Sequence, residues 1–248
     1  MLKSKDSNQA NFSWHRYGSQ EKLADALADD VARQINLRIN LVGRAVIALS
    51  GGSTPKLFFK QLATREVDWA KVFVTLVDER WVDESHALSN AAFLKEHFLS
   101  LLETPATYIP LYLPAESVEA SLEPVLRNYS ELTQSALSEP LEFDVVVLGM
   151  GEDGHTASFF PDAANIAELV DCDSPSALLS CQSASSKVAR VTWSLPRLIG
   201  AQLLILHITG GAKKAVFKQA EQSRDALELP IRSVLFQDRT PVKVYYAD

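Results

Sequence analysis

The feature of this sequence that most limits its fold is a set of short apolar segments in which polar residues do not alternate. These segments are residues 45–49, 72–77, 143–150, 202–209 and 242–246. Continuous apolar runs of this length, rich in Val and Ile, are typical of strands that are covered on both faces, as in a parallel sheet. We therefore expect these five segments to be the strands of such a sheet.

Amphipathic stretches lie between the apolar segments. Residues 21–39 carry an apolar residue at every fourth position, namely Leu23, Leu27, Val31, Ile35 and Ile39. This spacing predicts one buried helical face. Residues 117–137 have a similar pattern, but Pro124 interrupts it and predicts either a kink or two shorter helices. Strands that alternate with helices indicate a layered α/β domain.

The chain contains no internal repeat and no linker long enough to separate domains. Residues 1–10 are polar and predict a flexible N-terminal tail, which leaves residues 11–248 as a single α/β domain. The stretch 171–187 is rich in Ser and Asp, and we expect it to be a mobile loop.

Charge and cysteine content limit the classes of partner. The chain has 24 Lys plus Arg against 31 Asp plus Glu, a net charge of -7, which argues against a nucleic-acid partner but leaves room for a small anionic ligand. Cys172 and Cys181 cannot build a disulfide framework or a multi-cysteine zinc site. Because the sequence has neither a signal-peptide core nor an apolar run of membrane-spanning length, we expect a cytoplasmic protein with no membrane partner.

Seven of the ten glycines fall in three clusters, and each cluster directly follows one of the predicted strands. The clusters are Gly51 and Gly52, then Gly149, Gly151 and Gly154, then Gly210 and Gly211. Ligands of open α/β sheets bind outside the carboxyl ends of the strands. The three clusters therefore predict one ligand-binding crevice, the alternative being three tight turns without a ligand.

The first cluster reads Gly51, Gly52, Ser53, Thr54 and Pro55 before a helical segment. Ser53 or Thr54 could cap that helix, and Pro55 suits its first turn. Glycines let the backbone approach an anion closely, so this turn predicts a phosphate cradle that lacks the P-loop lysine. A merely well-capped helix is the alternative.

The second cluster matches the dinucleotide fingerprint GxGxxG, but Pro161 follows where a long helix would have to pack. We therefore reject dinucleotide binding. His155 follows the cluster directly and is placed as a general base would be, with Asp153 or Glu152 to orient its ring. We expect structural roles for the four remaining histidines, His15, His86, His97 and His207.

Three cations accompany these turns. Lys213 lies in the first turn of the helix predicted after Gly211, where a cation is unfavourable unless an anion offsets it. Arg80 follows a predicted strand, and Arg190 precedes the segment VTWSLP. Each arginine could grip a phosphate or carboxylate, or could form a surface ion pair. Ser89 and Asn90 are expected to cap the next helix.

These motifs, in this order, resemble those of the 6-phosphogluconolactonases. The matching segments are SGGSTP, VDERWV, SNAAF, LGMGEDGHTASFFP, RVTWSLP, TGGAKK and, more loosely, LPIRSVL, whose Arg232 has no clear role. The resemblance implies a Rossmann-like α/β fold that glucosamine-6-phosphate deaminase shares, with a mainly parallel sheet and helices on both faces. It also implies hydrolysis of 6-phosphoglucono-δ-lactone in the pentose phosphate pathway, with no metal and no organic cofactor.

Applied residue by residue, the resemblance makes His155 the general base that activates water against the lactone carbonyl. We expect Asp153 to be a catalytic residue beside it, although the choice between Asp153 and Glu152 as the partner of His155 stays open. It implies contacts to the substrate or its phosphate for Gly51, Gly52, Ser53, Thr54, Arg80, Asn90, Arg190 and Lys213. Which of the three cations holds phosphate and which stabilises the oxyanion stays open. The residues suit this chemistry, since lactone hydrolysis needs a base, donors for an oxyanion and a holder for the remote phosphate.

Two other functions are open. A deaminase or isomerase on the same fold would need a carboxylate base, for which Asp78 or Glu79 would serve, but such proteins typically read toward IAFNEP after the shared DGH, where this chain reads TASFFP. A non-catalytic sugar-phosphate-binding module would keep the cradle and the cations without needing a base. The expected partner is the small-molecule lactone, and the expected assembly is a monomer or a weak homodimer.

Overall fold

The computed structural model describes residues 10–134 and 142–248. The strands are β1 (Phe12–Tyr17), β2 (Ala45–Leu49), β3 (Val72–Leu76), β4 (Asp78–Arg80), β5 (Thr107–Tyr108), β6 (Val145–Leu148), β7 (Leu178–Cys181), β8 (Arg190–Trp193), β9 (Leu203–Thr209) and β10 (Val242–Ala247). The α-helices are α1 (Gln20–Val42), α2 (Lys56–Leu62), α3 (Asn90–His97), α4 (Val118–Thr133), α5 (Ile166–Leu169), α6 (Leu195–Ile199), α7 (Gly211–Ala220) and α8 (Ile231–Leu235). All five predicted strands are confirmed.

Within these ranges, seven strands form a parallel sheet in the order β1-β10-β9-β6-β2-β3-β5. Every residue of β2 and of β6 is buried. Because the side chains of a strand point alternately to the two faces, burial of all of them means that both faces of the sheet are covered. The prediction of an α/β fold with a mainly parallel sheet and helices on both faces is confirmed.

A second, smaller sheet has the antiparallel order β4-β8-β7. A single residue, Val77, separates β3 from β4, so the chain runs from the large sheet into the small one at this residue. In this pairing Arg80 lies directly opposite Arg190. The prediction of a loop over residues 171–187 was wrong in part, because Leu178–Cys181 pairs with β8 as a strand.

The two long amphipathic helices follow the predicted spacing. Helix α1 buries the predicted face, begins with a hydrogen bond from Lys22 N to the Ser19 side chain, and ends at Gly43, whose φ of 82° is left-handed. Helix α4 is one helix with Pro124 inside it, so the alternative of two shorter helices was wrong. It ends at Thr133, and residues 135–137 of the predicted segment lie outside the described residues.

Buried side chains of the sheets and helices form one connected hydrophobic cluster. The assignment of residues 11–248 to a single domain stays a prediction, and residues 1–9 of the predicted tail lie outside the described ranges. Both cysteines are free thiols, Cys172 exposed and Cys181 buried. Across the described ranges, no helix combines the length and the apolar character needed to cross a bilayer.

Candidate active site

The three glycine clusters meet at one edge of the large sheet. They follow β2, β6 and β9, and these three strands are neighbours in the sheet. Since parallel strands end at the same edge, the turns surround a cleft with a volume of about 260 Å³. Residues of all three turns line this cleft together with residues of the small sheet. The predicted crevice is therefore present.

His155 lines the cleft and is held by Asp153. The Nδ1 atom of His155 lies 2.5 Å from Oδ1 of Asp153, and the same oxygen accepts the backbone N–H of His155 at 3.1 Å. A carboxylate that accepts the Nδ1–H leaves the lone pair of the neutral ring on Nε2. Burial opposes ionisation of Asp153, but its hydrogen bonds to His155 and the charge of that ring outweigh burial and lower the pKa of the carboxyl. Asp153, not Glu152, is the partner of His155.

The His155–Asp153 pair depends on the absence of a side chain at position 151. A Cβ on Gly151 would collide with Nδ1 of His155 and with Oδ1 of Asp153. The turn closes through a hydrogen bond of 2.9 Å from Gly151 N to His155 O, and Gly154 within it has a φ of 75°, which favours glycine. The glycines after β6 therefore allow the close approach of the His155 ring to the Asp153 carboxylate.

Phe160 supports two functional side chains. Its ring stacks on the His155 ring with centroids 4.3 Å apart. The guanidinium carbon of Arg190 lies 4.8 Å from the centroid of the same Phe160 ring. Since Phe160 is buried, its ring gives both the His155 imidazole and the Arg190 guanidinium a fixed surface to pack on.

Arg190 is held in place by polar contacts as well. Its Nη1 donates to Oδ2 of Asp78 at 3.3 Å, and its Nε donates to Oγ of Ser186 at 2.6 Å. The Ser158 hydroxyl donates to the same Asp78 oxygen at 2.5 Å. Asp78 is buried in the cleft wall, so its negative charge is offset by a cation and a hydroxyl rather than by water.

Arg80 is oriented by Asn90. Its Nη1 donates to the side-chain oxygen of Asn90 and to the backbone oxygen of Leu88 at 3.1 Å. The Asn90 amide in turn donates to the backbone oxygen of Asp78 at 3.0 Å. Burial and the nearby charge of Arg190 lower the pKa of Arg80. Its Nε is buried and has no hydrogen-bond partner among the described residues.

Glu79, next to Asp78 in the chain, holds a helix rather than a ligand. Its carboxylate accepts the backbone N–H groups of Arg80, Asn90 and Ala91, each at 2.7 Å. Burial raises the pKa of Glu79, while these hydrogen bonds oppose that rise. Glu79 therefore fixes the start of α3, which carries Asn90. The predicted cap by Ser89 is also present, since its side chain accepts from Ala92 N.

Lys213 contributes a third cation to the lining of the cleft. It lies in the first turn of α7, as predicted, and its Nζ donates to Oγ1 of Thr54 at 3.1 Å. Burial lowers the pKa of Lys213, opposed by the negative charge of Glu152. The prediction that Ser53 or Thr54 caps α2 was wrong, because the helix begins after Pro55 without a side-chain cap. The Thr54 hydroxyl faces Lys213 instead.

His207 also lines the cleft, although its sequence position predicted a structural role. It lies in β9 and is only 4% exposed. Its Nδ1 has no hydrogen-bond partner within residues 10–134 and 142–248. Burial, followed by the positive charge of Lys213, lowers its pKa to about 3, so the ring is neutral at physiological pH.

The structure brings the predicted binding residues together. The cleft is lined by His155 and by Gly51, Gly52, Ser53, Thr54, Arg80, Asn90, Arg190 and Lys213. Asp153 lies behind His155, and Asn90 uses both ends of its amide on the protein. Sequence reasoning missed Phe160 and His207 as parts of the site, and it considered Asp78 only for a different reaction. Phe160 could have been recognised in the sequence from the pair Phe159 and Phe160, which directly follows the segment DGHTAS.

Three potential metal ligands lie close together elsewhere on the surface. They are the consecutive residues Asp171, Cys172 and Asp173, all exposed, and none of them lines the cleft. The cleft itself presents cations, amides and imidazoles, with the buried carboxylate of Asp78 already bound to Arg190. That the reaction needs no metal and no cofactor stays a prediction.

Comparison with known proteins decides the family. The family model described as glucosamine-6-phosphate isomerases/6-phosphogluconolactonase matches residues 18–243 of this chain. The chain belongs to this family. Within the family, the chain is 41% identical to the 6-phosphogluconolactonase of Rhizobium meliloti (strain 1021) over 233 residues, which cover 94% of this chain and 97% of that protein.

Other family members are similar over nearly the whole length. The 6-phosphogluconolactonase of Pseudomonas putida is 36% identical over 232 residues, covering 94% of this chain and 91% of that protein. The crystal structure of a 6-phosphogluconolactonase from Shewanella baltica OS155 superposes with a TM-score of 0.87 at 32% identity, covering 96% of this chain and 98% of that one. This chain and the Shewanella baltica protein therefore share one fold over nearly their whole length.

Proposed function

We propose that the protein hydrolyses 6-phosphoglucono-δ-lactone to 6-phosphogluconate, the step that such lactonases perform in the pentose phosphate pathway. The observation that carries this proposal is the His155–Asp153 pair inside a cleft that also contains three cations. Similarity to proteins named 6-phosphogluconolactonase over more than nine-tenths of the chain supports the same reaction. The product is a phosphorylated sugar acid with an anionic group at each end, and three cations line the cleft.

The reaction begins with water activated by His155. With Nδ1–H donated to Asp153, the Nε2 lone pair accepts a proton from water as the water oxygen attacks the lactone carbonyl carbon. The carbonyl π electrons move to the carbonyl oxygen, and a tetrahedral oxyanion forms. The C1–O5 bond then breaks, and protonated His155 returns its proton to the leaving ring oxygen. One water is consumed, and the base is regenerated.

Arg190 is the cation that we assign to the oxyanion. Its guanidinium and the His155 ring both contact the Phe160 ring, and both side chains line the cleft. Its contacts with Asp78 and Ser186 hold it in place before substrate arrives. A donor that is already oriented stabilises developing charge without reorganisation during the reaction.

Lys213 and the turn at Gly51 and Gly52 are assigned to the phosphate. Lys213 and Thr54 are in contact where the turn after β2 meets the start of α7, so an anion there would meet an ammonium group, a hydroxyl and backbone N–H groups. Arg80 also lines the cleft, where Asn90 orients its Nη1. Binding the remote phosphate would hold the lactone carbonyl beside His155.

The proposal is tested by offering two substrates side by side to the unmodified protein, without added metal. We expect proton release from freshly prepared 6-phosphoglucono-δ-lactone, above the spontaneous rate, and no ammonia from glucosamine 6-phosphate. Ammonia release without lactone hydrolysis would replace the proposal with the deaminase alternative. Binding of 6-phosphogluconate with no turnover of either compound would indicate the sugar-phosphate-binding module.

We also propose that the protein acts in the cytoplasm as a monomer or a weak homodimer, and that it binds no nucleic acid. The acidic net charge of -7 supports the last point, because a nucleic-acid surface is usually basic. Sedimentation of the protein over a range of concentrations would test the assembly.

A further inference from the structure

We propose that His207 is a further substrate-binding residue, which donates a hydrogen bond from its neutral ring to the phosphate group and so strengthens the binding of phosphorylated ligands. This inference rests on the proposed function for the identity of the substrate, but not for the presence of an anion site. It concerns a residue that a strand pattern alone assigns to the core.

The position of His207 places it at the phosphate end. It lies two residues before the end of β9, and the helix that follows this strand, α7, carries Lys213. Its neighbour Leu206 pairs with Leu148 at the end of β6, so the His207 ring is level with the glycine turn that begins at Gly149. The charge of Lys213 acts on the His207 ring, and both side chains line the cleft.

The described side chains around the ring do not satisfy its Nδ1 atom. On one side is the Phe58 ring, whose centroid is 6.3 Å away and nearly perpendicular. On the neighbouring strand the in-register residue is Tyr245, whose hydroxyl is bound to Asp30 and not to His207. Nδ1 of His207 has no partner among the described residues. Buried polar side chains are normally hydrogen-bonded, so an imidazole that lines the cleft with an unsatisfied nitrogen is a candidate ligand contact.

The chemistry of the ring suits a phosphate oxygen. A neutral imidazole always carries one N–H, which can donate to an acceptor. Lys213 already supplies positive charge here, and a second buried cation beside it would be costly, whereas a neutral donor adds a hydrogen bond without that cost. His155 already supplies an imidazole for the lactone carbonyl in the proposed reaction, so we assign His207 to the phosphate.

The test compares His207→Leu and His207→Gln with the unmodified protein. We expect His207→Leu to weaken binding of inorganic phosphate and of 6-phosphogluconate roughly 3- to 10-fold by calorimetry, the loss expected for one hydrogen bond. In turnover, KM for the phosphorylated lactone should rise by a similar factor, while kcat changes less than about twofold. His207→Gln, which keeps a donor, should recover part of the affinity.

Two controls separate a phosphate contact from a structural role. Tyr245→Phe removes a buried polar group at the same register outside the cleft, and it should leave phosphate affinity unchanged. Hydrolysis of unphosphorylated gluconolactone should be equally slow in all variants. Unchanged affinity in His207→Leu, or an equal loss with the unphosphorylated lactone, would overturn the proposal.

A measurement on the unmodified protein keeps the inference testable if His207→Leu does not fold. With ¹⁵N-labelled histidine, the ring signals of His207, assigned by their loss in His207→Gln, should shift during a titration with inorganic phosphate. Absence of a shift at saturating phosphate would refute the contact. This titration involves no turnover, so a protein without lactonase activity would refute the proposed function and leave the His207 result to stand separately.

Discussion

His155 and Asp153 act as a pair, because each favours one protonation state of the other. The carboxylate fixes the tautomer and the direction of the ring, and the ring helps to keep the carboxylate ionised by lowering its pKa. Phe160 restricts the ring from its face. A base that is oriented in advance loses less entropy when the reaction begins.

The first prediction concerns Gly151→Ala. The added methyl group would displace the His155 ring or the Asp153 carboxylate, so kcat should fall at least tenfold, toward the factor of about 10²–10⁴ that a general base contributes. Unfolding in urea should report only a small loss of stability, because the turn is at the surface of the cleft.

Gly18→Ala is the matched control for this prediction. Gly18 lies before α1, and an added Cβ there would meet no atom within 4 Å. We expect its kcat to equal that of the unmodified protein. If Gly151→Ala retained full kcat, the close approach of His155 to Asp153 would not matter for the reaction.

At the scale of elements, the site is assembled by the order of the strands. The glycine turns after β2, β6 and β9 belong to distant parts of the sequence, and they meet because these strands are adjacent in the sheet. The small sheet adds the other wall, since pairing of β4 with β8 places Arg80 opposite Arg190. Helix α3, fixed by Glu79, then supplies Asn90 to orient Arg80.

The second prediction tests this support with Glu79→Gln. A glutamine has one acceptor oxygen, and its amide N–H₂ would face backbone N–H donors of α3, so about 1–3 kcal/mol of stability should be lost. Urea unfolding at neutral pH measures this loss. Glu103→Gln, at an exposed position, is the control and should change stability by less than about 0.5 kcal/mol. A Glu79→Gln protein as stable as the control would contradict the role given to Glu79.

Elements differ in how well the sequence predicts them, and the reason is physical. The five apolar strands are buried on both faces, so their composition alone identifies them. Strand β1 reads FSWHRY, which mixes polar and apolar residues because it lies at the edge of the sheet. Strands β4, β7 and β8 have only three or four residues, too few for a periodic pattern.

The sequence predicted the location of the candidate site, but it did not predict every contact within the site. Glycines and cations at strand ends identify the cleft, since turns and anion binding depend on local residue types. The partner of His155 required geometry, because Asp153 and Glu152 are equivalent in sequence. His207 also required geometry, since a histidine in a strand can face the core or a cleft, and only the fold determines which.

For the whole molecule, the attraction of a small anion depends on where the charges lie and not only on the net charge. The chain has a net charge of -7, yet Arg80, Arg190 and Lys213 all line one cleft. A local group of cations with low-dielectric walls attracts small anions, while the acidic remainder of the surface repels polyanions such as nucleic acids. This arrangement suits a phosphorylated sugar acid.

The third prediction concerns the pH dependence of global stability. The pKa of His207 is lowered to about 3 in the folded protein, and that of an unfolded histidine is about 6.5, so between these values the unfolded chain binds one more proton. Stability from this group is complete above pH 6.5 and is lost as the pH falls. Between pH 7.5 and 5 the loss should be about 2 kcal/mol.

Urea unfolding in phosphate-free buffer at the two pH values measures this loss, with His207→Gln as the comparison. The variant should lose less stability on acidification than the unmodified protein, by the amount that His207 contributes. An equal loss in both proteins would contradict the low pKa of this buried ring.

The most direct test of the central claim is to measure kcat and ligand affinity of His155→Ala together. We predict that kcat for 6-phosphoglucono-δ-lactone falls by about 10²–10⁴, the usual contribution of a general base. The dissociation constant of 6-phosphogluconate should change less than about threefold, because we assign the phosphate to Lys213 and the glycine turn and not to His155. Unchanged turnover in His155→Ala would contradict the account.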